Sequence, residues 1–357
     1  MKKKKPTVID MFCGCGGLSR GFMDAGYEVL LGIDNNKDAL VSFKANHGNA
    51  VAMDGDLFQG STILEMASLT ENKQIDLIIG GPPCQGFSLT GKREEDDERN
   101  SLFQAMVNAV AFFQPKAFVL ENVPGLATLY NGKAREAILR EFSDLGYNIN
   151  DQVLYAPDYG VPQIRKRLFF VGLLNEEKFE FPEPILTPDK YVTCGDAISD
   201  LHDFTDNLGT EISEYQSPPK SKYQKMMRKN ATQLFNHVGT KHTELVIDVI
   251  SQVPEGGNHK DLPPGVGDSR KFNEAWTRYH RNKPSKTIDT GHRNHFHYEF
   301  HRVPTVRENA RLQSFPDDFK FYGNKTQQYK QVGNAVPPLL GLSLGKQLKK
   351  YLNDEDK

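Results

Sequence analysis

The stretch Thr7–Gly17 (TVIDMFCGCGG) begins as an apolar, β-branched run and ends in a glycine-rich turn. It predicts a buried strand followed by a tight turn, after which Leu18–Ala25 continues as a helix. Farther along, Val29–Asp34 predicts a second strand, Ala39–Asn46 a second helix and Val51–Met53 a third extended segment. Strands that alternate with helices are typical of a doubly wound, mostly parallel sheet, so the predicted fold class is α/β and Rossmann-like.

The glycine-rich turn also predicts a cofactor site. Glycines allow the backbone to approach a ligand closely, and Asp34 at the end of the second strand is placed to pair with ribose hydroxyls. A dinucleotide loop would have a third glycine where Ser19 stands, and Asp10 would repel a pyrophosphate but suit the ammonium group of a methionine moiety. The pattern therefore favours S-adenosylmethionine over NAD, with a turn that binds no ligand as the alternative.

A second chemical signal lies in Gly80–Ser88 (GGPPCQGFS), directly after the apolar strand Ile75–Ile79. Its prolines hold Cys84 on a stiff turn beyond the carboxyl end of a strand, where open α/β sheets bind their ligands. Glu121 follows another predicted strand and should face the same rim. The alternatives are a buried structural cysteine and a surface carboxylate.

Composition limits the class of protein. The 357 residues, with 38% hydrophobic and 25% charged residues, are typical of a soluble globular chain of one large or two modest domains. No window approaches the roughly 18 apolar residues of a membrane span, and the start of the chain does not have the pattern of a signal peptide. The four cysteines are too few for a disulfide framework, so a reduced, intracellular protein is expected. Cys13 and Cys15 lack a second pair of ligands, so no metal is expected.

The segment Pro219–Val303 is basic although the chain has a net charge of −2: it carries fifteen Lys and Arg against eight Asp and Glu, and eight of the ten histidines. Such a segment suggests that one part of the chain binds a polyanion, while a solvated lysine-rich surface explains the charge equally well. From Leu173 to about Phe300 the sequence is rich in Pro, Gly, His and Lys, which predicts an irregular second domain. Regular sequence returns at a helix with Thr305 as N-cap and Glu308 in the capping-box position.

Six blocks in this order resemble the DNA (cytosine-5) methyltransferase family of the bacterial restriction-modification type. They are Asp10–Gly17, Gly81–Ser88, Glu121–Val123, Gln163–Arg167, Arg307–Pro316 and Gln331–Pro338. The variable target-recognition segment of that family falls where the basic region lies. The resemblance implies a catalytic and cofactor-binding domain over residues 1–178, completed by 325–357, and a smaller target-recognition domain over residues 179–324.

The resemblance also implies a mechanism. The thiolate of Cys84 adds to C6 of cytosine, which makes C5 nucleophilic, and Glu121 supplies a proton-sharing partner at N3. Arg167 is expected near O2 of the base, and Arg165 is expected to support Cys84 or a phosphate. Because the base must leave the duplex to reach the thiol, the family likeness implies that the loop Thr90–Leu102 closes over a flipped cytosine.

Matching positions one by one assigns further residues. The expected S-adenosylmethionine contacts, shared by the product S-adenosylhomocysteine, are Phe12, Gly14, Gly16, Gly17, Asp34, Asp56, Leu57, Leu102, Asn334 and Val336. The expected DNA contacts are Pro83, Gln85, Ser88, Thr287, His292, Arg293, Asn294 and His295. The expected partners are double-stranded DNA and a functionally paired restriction endonuclease, and no membrane is expected. The enzyme is expected to be a monomer in the cytoplasm and to associate with the nucleoid when bound to DNA.

Three other functions fit parts of the sequence. An RNA or tRNA cytosine-5 methyltransferase would use the same catalytic blocks but usually has a shorter recognition segment. A catalytically silent DNA-binding protein of the same fold is disfavoured by the intact Cys84, Glu121 and arginine pair. An NAD oxidoreductase is disfavoured by the glycine pattern.

Overall fold

The computed structural model describes residues 4–57, 59–83, 101–175, 177–204, 207–266, 276–291 and 294–352. Its largest element is a seven-stranded sheet with the order β3-β2-β1-β4-β5-β7-β6. The strands are β1 (Thr7–Met11), β2 (Glu28–Asp34), β3 (Val51–Asp54), β4 (Leu77–Gly80), β5 (Ala117–Asn122), β6 (Asn148–Tyr155) and β7 (Lys166–Leu173). The first five pair in parallel and β7 pairs antiparallel with both of its neighbours, which confirms the predicted mostly parallel α/β sheet.

The central strands are wholly buried, and apart from Thr7 and Asp10 their residues are apolar or glycine. Every residue of β1 and β4 is buried. In the register of the sheet Met11 lies opposite Gly80, and Gly80 lies opposite Leu120. The carboxyl ends of β1, β4 and β5 therefore lie side by side, and the segments that follow them share one edge of the sheet.

Helices connect and cover these strands. They are α1 (Gly17–Asp24), α2 (Lys37–Asn46), α3 (Gly60–Leu69), α4 (Ser101–Phe113) and α5 (Lys133–Asp144). One apolar core cluster joins the sheet to α3, α4 and α5 and includes Phe118, Phe142 and Phe170, none of which is exposed. The C-terminal part of the chain returns to this layer, since the Tyr27 hydroxyl donates to the Gly345 carbonyl over 3.0 Å.

By its internal contacts the chain divides into two compact units. The first comprises Met1–Tyr155, Lys166–Glu183 and Leu340–Lys357; the second comprises Ala156–Arg165 and Pro184–Leu339. The second is built from short pieces, as its composition predicts: α6 (Cys194–Ile198), β8 (Ile212–Ser213), α7 (Lys222–Met227), β9 (Leu234–Phe235), α8 (Glu244–Gln252), β10 (Thr277–Arg278), β11 (His295–Phe296), α9 (Val306–Leu312) and α10 (Lys325–Asn334), before α11 (Pro338–Leu352). The functional boundaries at 178 and 325 stay a prediction.

Buried ion pairs connect separate segments of the second unit, where regular structure is sparse. Arg311 donates to Asp317 over 2.7 Å and to Asp200 over 2.6 Å, and all three side chains are shielded from solvent. Arg302 forms a second such pair with Glu308. Thr305 and Glu308 make the predicted reciprocal capping box at the start of α9, which confirms that prediction. None of the helices in the described part of the chain has the length and apolar composition that a membrane crossing requires.

Candidate active site

The glycine-rich loop after β1 has an unusual backbone. Phe12 adopts a left-handed conformation with φ of 56°, which is uncommon for a non-glycine residue and often marks a functional site. Gly14 has φ of 53°, and a methyl carbon added there would meet no atom within 4 Å. The Gly14 N–H donates to Asp34 Oδ2 over 2.8 Å. The loop is thus tied to the end of β2 while open space remains beside Gly14.

The floor of the loop is a buried histidine that sequence reasoning missed. His47 stacks on Phe43 with ring centroids 4.0 Å apart and lies 3.0 Å from Ser19 Oγ through Nε2. A methyl carbon at Gly16 would lie only 2.1 Å from His47 Cε1, so glycine is required at that position. Burial lowers the pKa of His47 to about 4, so the ring is neutral at pH 7. The sequence carries no local signal for this contact, which spans 31 positions from Gly16 to His47.

Asp10 lies in β1 beneath the loop and is 1% exposed. Burial raises the pKa of this carboxyl to about 7, an effect that a hydrogen bond from Ser19 partly offsets. Among the described residues, Asp10 Oδ2 has no hydrogen-bond partner. A hydrogen-bond donor from a ligand would stabilise a buried acceptor of this kind.

Four further predicted cofactor residues also belong to the first unit. Asp56 is exposed after β3, and Leu57 is half-buried against the apolar core. Leu102 is half-buried in the first turn of α4, and Gly17 begins α1. The first unit thus holds eight of the ten predicted cofactor contacts.

The segment after β4 contacts the end of β5. A methyl carbon at Gly81 would lie 2.8 Å from Glu121 Oε2, and the Pro82 carbonyl accepts from Asn122 Nδ2 over 2.9 Å. Pro83 follows and is exposed. Glu121 therefore lies beside the residues that lead into Cys84, as the sheet topology predicts. Cys84, Gln85 and Ser88, and all of the predicted closing loop except its last two residues, lie outside the described residues.

Glu121 is held by an arginine from the neighbouring strand. Arg167 Nε lies 2.7 Å from Glu121 Oε1, and the two side chains are only 14% and 13% exposed. A second donor of Arg167, Nη1, bonds to the Lys166 carbonyl over 2.8 Å. A largely desolvated carboxylate is thereby both neutralised and oriented at the carboxyl end of β5.

Arg165 has different surroundings, although it is only two residues from Arg167. It is 2% exposed and belongs to the second unit. Its guanidinium donates to the carbonyls of Gly333 over 2.8 Å, Ala335 over 3.1 Å and Ile288 over 3.3 Å. Support of Cys84 or of a phosphate by Arg165 stays a prediction.

The remaining predicted contacts lie in the second unit. Asn334 is exposed at the end of α10, and Val336 is 7% exposed. Thr287 is exposed and donates through Oγ1 to the Ile164 carbonyl over 2.5 Å.

Asn294 and His295 follow in the sequence. Asn294 Nδ2 donates to Asp289 over 2.6 Å, and His295 is buried and stacks on Tyr279 with centroids 5.3 Å apart. Both side chains therefore have internal contacts, and their DNA roles stay predictions. His292 and Arg293 lie outside the described residues.

Metal ligands are not grouped in the described ranges: no three His, Cys, Asp or Glu side chains cluster there as a metal ion would need. Cys13 and Cys15 are buried, and burial raises the pKa of both thiols, so each is protonated at pH 7. Neither thiol has the thiolate character that a nucleophile needs.

Comparison with known proteins shows which family the chain belongs to. The family model for C-5 cytosine-specific DNA methylases matches residues 6–350. The type II methyltransferase M.DdeI of Desulfomicrobium norvegicum is 37% identical over 98% of this chain and 89% of its own length. The type II methyltransferase M1.HphI of Haemophilus parahaemolyticus is 39% identical over 98% of this chain and 88% of its own length.

Solved structures agree. A prophage-encoded DNA modification methyltransferase of E. coli superposes with a TM-score of 0.80 at 28% identity, over 98% of this chain and 100% of that chain. The Dnmt2 methyltransferase of S. pombe, at 17% identity and a TM-score of 0.63 over 97% of this chain and 99% of its own, shares the fold. The chain therefore belongs to the C-5 cytosine-specific DNA methylase family and is a DNA cytosine-5 methyltransferase.

Proposed function

We propose that this enzyme transfers a methyl group from S-adenosylmethionine to C5 of a flipped cytosine in a specific duplex sequence, with Cys84 as the transient nucleophile. The observation that carries this assignment is the Glu121–Arg167 ion pair beside Gly81 and Pro82, the residues that lead into Cys84. Proton-sharing and cationic groups are thereby grouped where a cytosine ring would be activated.

The loop residues fit the proposed cofactor. Open space beside Gly14 would admit a ligand close to the backbone, and the unpartnered Asp10 Oδ2 would accept a hydrogen bond from an ammonium group. Asp34 would serve the ribose and Asp56 the adenine amine. When bound, the cofactor supplies an electrophilic methyl group.

The protein residues would act on the cytosine. The Cys84 thiolate adds to C6, forming a C–S bond and moving electron density to C5 and N3. Glu121 shares a proton at N3, and Arg167 stabilises the negative charge that develops at O2. After C5 is methylated, its proton leaves to a base, the C–S bond breaks, and Cys84 departs as thiolate. The ring regains its aromaticity.

DNA would bind through the basic segment of the second unit, with Thr287 and Asn294 among the contacts. Because several relatives are type II methyltransferases, we propose that a restriction endonuclease with the same target accompanies this enzyme. It would act as a monomer in the cytoplasm, associated with the nucleoid when bound to DNA.

A covalent trap tests the nucleophile. A duplex with 5-fluorocytosine at the target position cannot lose its C5 substituent as a proton, so the enzyme should stay bonded to it when the methyl donor is present. We expect a band of protein plus DNA on a denaturing gel for the wild type and none for Cys84→Ser. Cys194→Ala is the matched control because Cys194 is fully buried, with a pKa raised by burial, and should trap normally.

Either of two results would contradict the proposal. One is trapping by Cys84→Ser at the wild-type level. The other is methylation of tRNA but not of duplex DNA by the wild type, which would assign the enzyme to the RNA-directed alternative.

A further inference from the structure

Two segments with different predicted partners are joined inside the second unit. The recognition segment, Thr287–Thr290, begins the part of the chain expected to contact DNA, and the cofactor turn, Gly333–Val336, carries the predicted cofactor contacts Asn334 and Val336. We propose that Arg165 is a positioning residue that couples cofactor binding to DNA recognition by bonding both segments. This inference rests on the proposed function and deepens it.

Arg165 bridges the segments through backbone carbonyls. One of its terminal nitrogens donates to Ile288 in the recognition segment, and the other donates to Gly333 and Ala335 in the cofactor turn. Because the guanidinium is planar, the directions of its donors are fixed relative to one another. Arg165 is 2% exposed, so breaking one of these bonds would leave a buried guanidinium donor without a solvent partner.

A second bridge runs parallel to the first. Gln163 is fully buried and accepts from the Ile288 N–H over 3.1 Å. Its amide nitrogen donates to the side chain of Gln313, which in turn donates to the Ala335 carbonyl over 2.5 Å. The recognition segment and the cofactor turn are thus joined by two buried polar connections.

The two segments are also in direct contact. A methyl carbon at Gly333 would lie 2.2 Å from the Asp289 carbonyl oxygen and 2.9 Å from the Thr290 nitrogen. The backbones meet at a distance that only glycine permits. A shift of residues 288–290 towards DNA must therefore either move the cofactor turn or break several buried hydrogen bonds.

This arrangement predicts reciprocal coupling, because two ligands that favour the same arrangement of one rigid element raise each other's affinity by the same factor. The Kd of S-adenosylhomocysteine is measured by calorimetry without and with a duplex that carries the target. The target is identified by bisulfite sequencing of a plasmid treated with the wild-type enzyme. We expect the duplex to lower the wild-type Kd by about tenfold or more, within the range of typical couplings.

Arg165→Lys keeps the positive charge but replaces the guanidinium fork with a single ammonium, so the ratio of the two Kd values should fall to about twofold or less. Gly333→Ala disturbs the contact between the cofactor turn and the recognition segment while Arg165 is unchanged, so it should lower the ratio in the same way.

Arg307→Lys is the matched control. Arg307 is also fully buried and donates to three carbonyls, those of Phe235, Pro316 and Phe319, none of which belongs to either segment. The Arg307→Lys variant should have a lower melting temperature than the wild type but the same ratio of the two Kd values.

The inference would be overturned if Arg165→Lys had the same ratio of Kd values as the wild type. It would also be overturned if the duplex did not change the Kd of S-adenosylhomocysteine for the wild-type enzyme. If Arg165→Lys does not fold, Gly333→Ala decides by the same criterion. Failure to methylate the plasmid at all would contradict the proposed function, whereas an unchanged ratio on a methylated target contradicts only the coupling.

Discussion

At the residue scale, Asp10 shows how a buried carboxylate at a predicted ligand site can reduce stability. Its folded-state pKa is about 7, against an ordinary value of 3.8 that the unfolded chain should retain. Between these values the folded state binds more protons than the unfolded state, so the stability that Asp10 contributes decreases as pH rises from about 4 to 7. A buried, unpartnered carboxylate at pH 8 is unfavourable until a cation binds it.

Asp10→Asn should therefore stabilise the ligand-free enzyme at pH 8 by on the order of 3 kcal/mol and change its stability little at pH 4. Urea unfolding at the two pH values measures the difference. The same variant should bind S-adenosylhomocysteine more weakly, because it loses the charge that would face the ammonium group. Asp54→Asn, which removes an exposed carboxylate, should change neither quantity. Equal stabilisation at both pH values would contradict the assignment of a raised pKa.

At the element scale, the loop between β1 and α1 is held from below and open beside Gly14. His47 fills the space under Gly16, and Asp34 bonds to the Gly14 N–H. The positive φ of Gly14 explains why a residue without a side chain stands there, but it does not by itself show that the open space serves a ligand. A matched pair of glycines separates these two roles.

Gly14→Ala and Gly48→Ala should lose about the same stability, on the order of 1 kcal/mol each. Both glycines have similar φ values, 53° and 58°, and a methyl group at either would meet no atom within 4 Å. Only Gly14 lies in the predicted cofactor site, so only Gly14→Ala should raise the Kd of S-adenosylhomocysteine, by about tenfold or more if the methyl group occupies ligand space. Equal affinities in the two variants would show that this space is not used.

At the scale of the whole molecule, the basic segment is less cationic than its composition indicates. Arg302 is paired with Glu308 and Asp203, and Arg228 with Asp200, and these acids lie outside Pro219–Val303. The positive charges of Arg302 and Arg228 are thus compensated inside the protein. The charges available to DNA are the exposed ones.

DNA binding should weaken linearly with the logarithm of salt concentration, and single exposed cations should change the slope. Lys286→Ala, next to Thr287, should reduce the magnitude of the slope by about one unit if that lysine contacts a phosphate. Arg281→Ala is the control, because Arg281 is also exposed but its guanidinium lies 3.2 Å from the Glu255 carboxylate. Fluorescence anisotropy between 50 and 200 mM salt, a range taken from the usual response of such complexes, measures both slopes. A flat dependence in the wild type would show that the DNA does not bind at this segment.

The sequence alone determined the parallel strands β1–β5, the glycine loop, the adjacency of Glu121 to the residues before Cys84, and the capping box at Thr305. These features depend on local periodicity, turn chemistry and the fact that parallel strands end at one edge of a sheet. Tertiary structure alone decided that β7 enters antiparallel between β5 and β6, that His47 supports Gly16, and that Arg165 and Arg167 have different partners. Each of these depends on contacts between residues far apart in the chain, which the local pattern of side chains does not encode.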